Sequence, residues 1–327
     1  MNFFSYFCKF KFSVMKRFFF IILFSAMCGF ATAQSVYDRF YEAVQGSDSA
    51  GMEEAINEIR ASGDQSAERY IAEYNFYVNN ALLFSGMTSS TIYPDENEHV
   101  VGDIMTLTDS TGEVAGYMYF IENWDEAIAD SGIAVITKGI SLYPDRLDMR
   151  YGKIHLLRQL HWWNAYADAI HATLDYAEKH RKTMIFADGD TPIDTILIEG
   201  ILNYEGSLFE AIQNSPDSIT FVNRLELLRG IAKHMLKIYP KDVYSLNIMA
   251  VTYQLVEDRE NSLKWLLKAE KVDPKDVIVL SNIADTYHIL GDYKNERKYL
   301  EKMIKYGDEE TVEKAKEYLK ELDNNKQ

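Results

Sequence analysis

Residues 243–276 read VYSLNIMAVTYQLVEDRENSLKWLLKAEKVDPKD, and residues 277–310 follow without a gap as VIVLSNIADTYHILGDYKNERKYLEKMIKYGDEE. When the two windows are aligned, a small residue occupies the same position in each, Ala250 in the first and Ala284 in the second. Small side chains let two helices approach closely, and Pro274 near the end of the first window stops a helix. The pattern predicts one helix pair in each window.

These windows resemble the tetratricopeptide repeat, whose pattern has a small residue at position eight, tyrosine at position eleven and proline near the end. Tyr253 and Tyr287 fill the tyrosine position after the two alanines, and Asp308 stands where the second proline would be. Degraded copies of the same helix ending recur upstream at residues 237–242 and 141–146. The repeat therefore extends toward the N-terminus with less regular spacing.

The chain is similar, over roughly residues 65–320, to exported tetratricopeptide proteins of Gram-negative bacteria with no assigned activity. Proline is scarce, with 6 residues, which also favours helices over a many-stranded fold. Residues 100–108 and 114–120 are rich in β-formers and flank a short loop that contains glycine. The predicted fold class is mainly α: a right-handed α-solenoid of tetratricopeptide-like helix pairs with a small inserted β-hairpin.

A solenoid needs polar caps at both ends, because its terminal helices have no neighbour on one side. The predicted segments are a signal peptide at 1–33, N-terminal capping helices at 34–62, a first helix pair at 63–146 with the β-hairpin at about 100–120, degenerate helix pairs at 147–242, two repeats at 243–310, and a C-terminal capping helix and tail at 311–327.

The N-terminal segment has the order of parts found in a secretory signal. Lys16 and Arg17 precede an apolar stretch that ends at Phe30, and this stretch is shorter than the ~20 residues a membrane-spanning helix needs. Ala31 and Ala33 then supply the small residues of a cleavage site. We predict a cut after Ala33 and a periplasmic or otherwise exported protein. An uncleaved anchor and lipidation at Cys28 are the alternatives.

Charge and cysteine content exclude several classes of function. The formal net charge is −16, and such an acidic surface repels phosphate backbones and anionic membranes. Nucleic acid is therefore excluded as a partner, and stable membrane insertion is not expected after leader cleavage. Both cysteines, Cys8 and Cys28, lie in the leader, so the exported chain has no disulfide.

Motifs for catalysis are absent from the sequence. It has no Gly-rich phosphate loop, no GxSxG elbow and no HExxH, so we predict that the chain is not an enzyme and has no cofactor. Asp168, His171 and Asp175 would share one face of a helix and could hold a metal loosely. We interpret them as an ordinary polar helix face and predict no metal site.

Candidate binding residues follow from the family resemblance, in which the first helix of each pair lines a concave groove. The matching residues in this chain are Tyr151, His155, Arg158, Tyr244, Asn247, Val251, Gln254, Ser281, Asp285 and His288. Family members that clamp a C-terminal carboxylate have lysine and asparagine at these positions, and Asn247 alone fits that pattern. A neutral floor of polar and aromatic residues suits an extended peptide or an irregular protein surface better.

The predicted function is therefore a non-catalytic periplasmic scaffold that binds a peptide or protein partner through this groove. The alternative is an envelope protein that binds a glycan or small molecule, with the pair Trp162 and Trp163 stacking on a sugar. A hydrolase is the third class, and no residue pattern in the sequence demands it.

Overall fold

The computed structural model describes residues 35–84, 104–108, 111, 113–119, 122–186, 189 and 191–324. This part of the chain is mainly α, which confirms the predicted fold class. The helices, in chain order, are α1 Val36–Gln45, α2 Ser49–Ala61, α3 Ala67–Ala81, α4 Glu126–Leu142, α5 Leu147–Gln159, α6 Trp163–His180, α7 Ile193–Gln213, α8 Ser218–Ile238, α9 Val243–Gln254, α10 Arg259–Val272, α11 Val277–Ile289, α12 Tyr293–Tyr306 and α13 Glu309–Asn324.

The chain divides between His161 and Trp162 into two compact units, an N-terminal unit with α1–α5 and a C-terminal unit with α6–α13. The boundary falls inside the segment predicted as degenerate helix pairs. The predicted signal peptide lies outside the described residues. Among the described helices, none combines the length and the apolar composition that crossing a membrane would require.

In the N-terminal unit, α3 packs closely against α4 because α4 carries glycine where the helices meet. A Cβ at Gly139 would lie 2.8 Å from the Cβ of Tyr70, and one at Gly132 would lie 3.0 Å from that of Tyr77. Real Cβ atoms essentially never come within 3.0 Å of another heavy atom, so a larger residue at Gly139 would push the helices apart. Both glycines are buried.

The described residues between α3 and α4 form four short strands. The hairpin strands β2 (Ile104–Thr108) and β3 (Val114–Tyr119) pair antiparallel, as the sequence predicts. A second pair, β1 (Leu82–Phe84) with β4 (Glu122–Trp124), was not predicted. These two strands continue directly from the helix pair, and Asp125 N donates to Ala81 O at 2.7 Å. The two ends of the insertion therefore leave the helix pair side by side.

The C-terminal unit contains the two regular windows as the helix pairs α9–α10 and α11–α12, followed by α13. Ala250 is 0 % exposed and Ala284 is 2 % exposed, so the small residues lie inside the core as predicted. The core of these helices consists of Leu246, Ala250, Leu266, Ala269, Val279, Leu280, Ile283, Ala284, Tyr299, Leu300, Met303, Ala315 and Leu322.

The repeat is also visible in how its second helices begin. Asn261 donates through its backbone N to Asp258 Oδ1 at 3.1 Å and through Nδ2 to Asp258 Oδ2 at 2.7 Å. Asn295 makes the same two bonds to Asp292 at the same distances. Each aspartate satisfies backbone N–H groups that a helix start leaves unpaired. Asp308 does the same for α13, accepting from Thr311 N at 3.0 Å.

Candidate functional site

The first helices of the two regular pairs start at equivalent aspartates. Asp242 accepts from Ser245 N at 2.7 Å at the start of α9. Asp276 accepts from the backbone N of Ile278 and of Val279, both at 2.9 Å, at the start of α11. Since an N-cap fixes the first turn of a helix, these aspartates help to set which residues of α9 and α11 face one another.

Polar side chains connect these two helices along their length. We call this set the polar row; it consists of Asn247, Gln254, Asn282, Asp285, Thr286 and His288. Asn282 Nδ2 donates to Asn247 Oδ1 at 2.8 Å, and Gln254 Nε2 donates to Thr286 Oγ1 at 3.1 Å. Thr286 Oγ1 in turn donates to Asn282 O at 2.7 Å. The contact between repeats is therefore partly hydrogen-bonded as well as apolar.

Two groups in or beside the polar row, Gln254 and Glu296 of α12, have hydrogen-bonding capacity that is not filled. Gln254 Oε1 and Glu296 Oε2 are buried and accept no hydrogen bond from the described residues. Glu296 Oε1 lies 3.0 Å from His288 Nδ1. Burial raises the pKa of Asp285 to about 6, while the nearby His288 opposes the rise. What this face presents at its surface is the half-buried Asp285 carboxyl beside the exposed His288 ring.

A second buried acid lies on α7. Glu205 is 0 % exposed, and neither of its carboxyl oxygens has a hydrogen-bond partner among the described residues. Burial raises the pKa of Glu205 well above its ordinary value, and the negative charge of Asp242 adds to the rise. Tyr244 lies close enough that the pKa of its hydroxyl is also raised, mainly by burial and then by Glu205.

The ten predicted binding residues fall in both units. Tyr151, His155 and Arg158 lie on α5 in the N-terminal unit, whereas the other seven lie on α9 and α11. Burial lowers the pKa of His155 to about 3, with the charge of Arg158 as a second cause. Their part in binding stays a prediction.

On α9 and α11 the predicted residues differ in accessibility. Asn247, Val251 and Gln254 are buried, because their side of α9 packs inside the unit. Tyr244, Ser281 and Asp285 are half-buried, and His288 is exposed. A partner that binds this face would meet the last four side chains, which are Tyr244, Ser281, Asp285 and His288.

The sequence analysis missed Asn282, Thr286, Glu205 and Glu296. A signal existed for Asn282, because it follows Asn247 at about the repeat period and is polar within an apolar run. Glu205 gave no such signal, since a glutamate in a long helix normally faces water.

Of the three residues predicted to share a face of α6, the structure brings two into contact with α8. His171 and Asp175 meet His234 of α8, and Glu178 joins them, while Asp168 lies outside this group. The ligand atoms of Asp175, Glu178 and His234 all lie within 4.8 Å of one another.

The tryptophan pair lies at the start of α6 and is half-buried at both positions. Trp163 packs edge-on against Tyr166, with ring centroids 5.5 Å apart, and the guanidinium of Arg224 lies 5.7 Å from its ring. These contacts engage Trp163 with neighbouring side chains of the C-terminal unit.

A comparison with known protein families finds a match inside the C-terminal unit. Residues 279–306 match the family model of the tetratricopeptide repeat. The matched segment begins in α11 and ends with α12, the second of the two regular helix pairs. A comparison with curated proteins gives no match.

Solved structures of tetratricopeptide proteins are among those that match the chain. One is a tetratricopeptide repeat protein from Parabacteroides merdae, with 11 % identity, a TM-score of 0.36, and coverage of 84 % of this chain and 79 % of that chain. Yeast Tom70 has 8 % identity, a TM-score of 0.31, and coverage of 94 % and 68 %. The TPR2AB domain of yeast Sti1, solved in complex with pHSP90, has 9 % identity, a TM-score of 0.26, and coverage of 88 % and 95 %.

Proposed function

We propose that this chain is a non-catalytic scaffold that binds a peptide or protein partner on the face of α9 and α11. The repeat at 279–306 supports a role in protein interaction. The observation that carries the proposal is the half-buried, poorly solvated Asp285, which lies beside the exposed His288 on the polar row. A peptide backbone supplies N–H donors at regular intervals, and such a donor would satisfy the Asp285 carboxylate.

The same face is poorly suited to catalysis. Its ionisable groups, Asp285, His288 and Glu296, interact with one another. The sequence also lacks the phosphate loops and hydrolase elbows that would mark an active site. A binding role therefore accounts for the face with fewer assumptions than an enzymatic one.

The proposed location is the periplasm of a Gram-negative bacterium, after cleavage at Ala33. The support is the order of positive, apolar and small residues in the leader, and the lack of cysteine after residue 28. A test expresses the full chain and compares the mass of the exported protein with that of a variant lacking residues 1–33. A product that begins at Gln34 in the periplasmic fraction supports the location; retention of the leader in the cytoplasm contradicts it.

A pull-down tests the binding proposal. The chain beginning at Gln34 is immobilised and incubated with envelope extract, and captured proteins are identified by mass spectrometry. The variant Asp285→Asn/His288→Gln keeps the size of both side chains, so it should fold normally while removing the charge. We expect the wild-type chain to capture a stoichiometric protein and the variant to lose most of it.

The matched control is Lys298→Ala/Glu301→Ala, which alters two exposed residues of the second helix α12. This control should capture the same protein as the wild type. Equal capture by both double variants would place the binding surface elsewhere. The absence of any stoichiometric protein, together with hydrolase activity in the purified chain, would contradict the scaffold role.

A further inference from the structure

Helices α6 and α8 bring together four side chains that no part of the proposed function uses. Asp175 and Glu178 lie three residues apart on α6, and His171 lies one turn before Asp175, so the three share a helix face. His234 projects from α8 toward this face, with its Nε2 3.4 Å from Asp175 Oδ1. Ligand atoms of Asp175, Glu178 and His234 all lie within 4.8 Å of one another.

His234 is the part of this cluster that most needs an explanation. It is 7 % exposed, and its Nε2 is buried without a hydrogen bond among the described residues. The separation of 3.4 Å from Asp175 exceeds that of a good N–H···O bond, which is close to 2.9 Å. A buried ring nitrogen that lies close to two carboxylates without a hydrogen bond calls for a further ligand, and a cation between these groups would satisfy all three.

The spacing matches what a zinc ion would impose. Nitrogen and oxygen ligands bind Zn²⁺ at about 2.0–2.2 Å, and two such ligands at a tetrahedral angle are about 3.4 Å apart. His234 Nε2 and Asp175 Oδ1 have this separation. We infer that Asp175, Glu178 and His234 form a site for Zn²⁺ or a similar transition-metal ion, with water completing the coordination and with the ion joining α6 to α8.

His171 contacts the ligand His234 and does not itself bind the ion in this proposal. Its Nδ1 lies 3.0 Å from His234 Nδ1, and the two rings are stacked with centroids 5.2 Å apart. When His234 Nδ1–H donates to His171 Nδ1, the lone pair of His234 Nε2 is left pointing at the carboxylates. Ligating histidines commonly donate their second N–H in this way, which fixes the ring orientation.

Charge and access are also consistent with a metal ion. Asp175 and Glu178 are exposed, so an ion can enter from solvent and replace their hydration, while His234 anchors it from the buried side. The two carboxylates bring two negative charges. Lys237, one turn after His234 on α8, is the cation that acts on both histidines. A divalent ion neutralises the carboxylates and tolerates one neighbouring ammonium group.

The test measures zinc binding to the chain beginning at Gln34, prepared without a histidine tag and freed of metal by a chelator. Binding is followed by competition with a chromophoric chelator, and Tm is measured with ZnCl2 and with MgCl2. We expect one equivalent of Zn²⁺, a higher Tm with zinc, and no change with magnesium, which prefers all-oxygen sites. Co²⁺ should give visible absorption bands of a four-coordinate site.

Variants separate this site from adventitious binding. Asp175→Asn and Glu178→Gln alter exposed ligands, so they should fold normally and lose the Tm rise. His171→Gln should weaken zinc binding by about 10- to 100-fold, as a supporting partner does. Asp168→Asn on the same helix is the matched control and should bind zinc like the wild type. Loss in Asp168→Asn equal to that in Asp175→Asn, or no saturable binding, would overturn the proposal.

Discussion

Asn282 Nδ2 donates a hydrogen bond of 2.8 Å to Asn247 Oδ1, and so joins the first helices of two consecutive repeats. The residues are 35 positions apart in the chain, close to the period of the repeat. Asn247 is buried, so its amide oxygen cannot exchange this partner for water. The bond therefore contributes to how the two helices pack side by side as well as to their stability.

Replacing Asn282 with alanine should destabilise the chain by about 1–3 kcal/mol, because it leaves the buried Asn247 oxygen unsatisfied. Urea unfolding at pH 7 measures the change in the free energy of unfolding. The exposed Asn223 on α8 provides the matched control, since Asn223→Ala should change stability by less than about 0.5 kcal/mol. Equal effects of the two substitutions would show that the bond contributes nothing measurable.

Ala284→Arg should cost about 3 kcal/mol or more, because Ala284 is 2 % exposed and the new side chain would overpack the core and bury a charge. Thermal unfolding monitored by circular dichroism measures this. Ala61→Arg, at the exposed end of α2, should shift Tm little by comparison. Similar melting temperatures for the two variants would mean that Ala284 does not sit between packed helices.

The free energy of unfolding of Glu205→Gln should increase relative to that of the wild type as pH rises. The folded state holds the proton of Glu205 more tightly than the unfolded state, whose carboxyl has its ordinary pKa of 4.5. The free energy of unfolding of the wild type therefore falls as pH increases above 4.5, and glutamine removes this loss. Urea unfolding at pH 5 and pH 8 measures both free energies of unfolding, and the difference in favour of the variant should be larger at pH 8.

The control for this pH dependence is Glu210→Gln, on the exposed side of the same helix. Its stability should follow that of the wild type at both pH values. A constant difference between Glu205→Gln and the wild type across this range would show that Glu205 is ionised in the folded chain.

Asp258→Ala and Asp292→Ala should each cost about 1 kcal/mol, because each aspartate caps its helix through the same pair of bonds. Asparagine accepts the backbone N–H as well, so Asp258→Asn and Asp292→Asn should cost less. Urea unfolding of the four variants measures these differences. If the losses of unfolding free energy in the two alanine variants differ by more than a factor of two, the two helix starts are not energetically equivalent.

Much of the fold could be predicted from the sequence because the helices follow a regular period. The small residues Ala250 and Ala284 mark the contact between paired helices, and Gly139 marks the same kind of contact between α3 and α4. These residues give a signal because close approach of two backbones excludes larger side chains. The strand pair β1–β4 gave none, since three-residue strands carry too little pattern to recognise.

The candidate site was less predictable, because it depends on contacts between distant parts of the chain. His171 and His234 are 63 residues apart and lie on different helices, so only the folded chain shows that they meet. The family resemblance indicated which helices would bear binding residues. It did not show that Asn247 and Gln254 would bond across to the next repeat instead of facing solvent.

Because β1 pairs with β4, the packing of α3 against α4 does not depend on the length of the segment inserted between them. Phe84 pairs with Glu122, so both ends of the insertion leave the helices at neighbouring points. A segment anchored this way can lengthen, shorten or be exchanged during evolution while the helices that carry it keep their alignment.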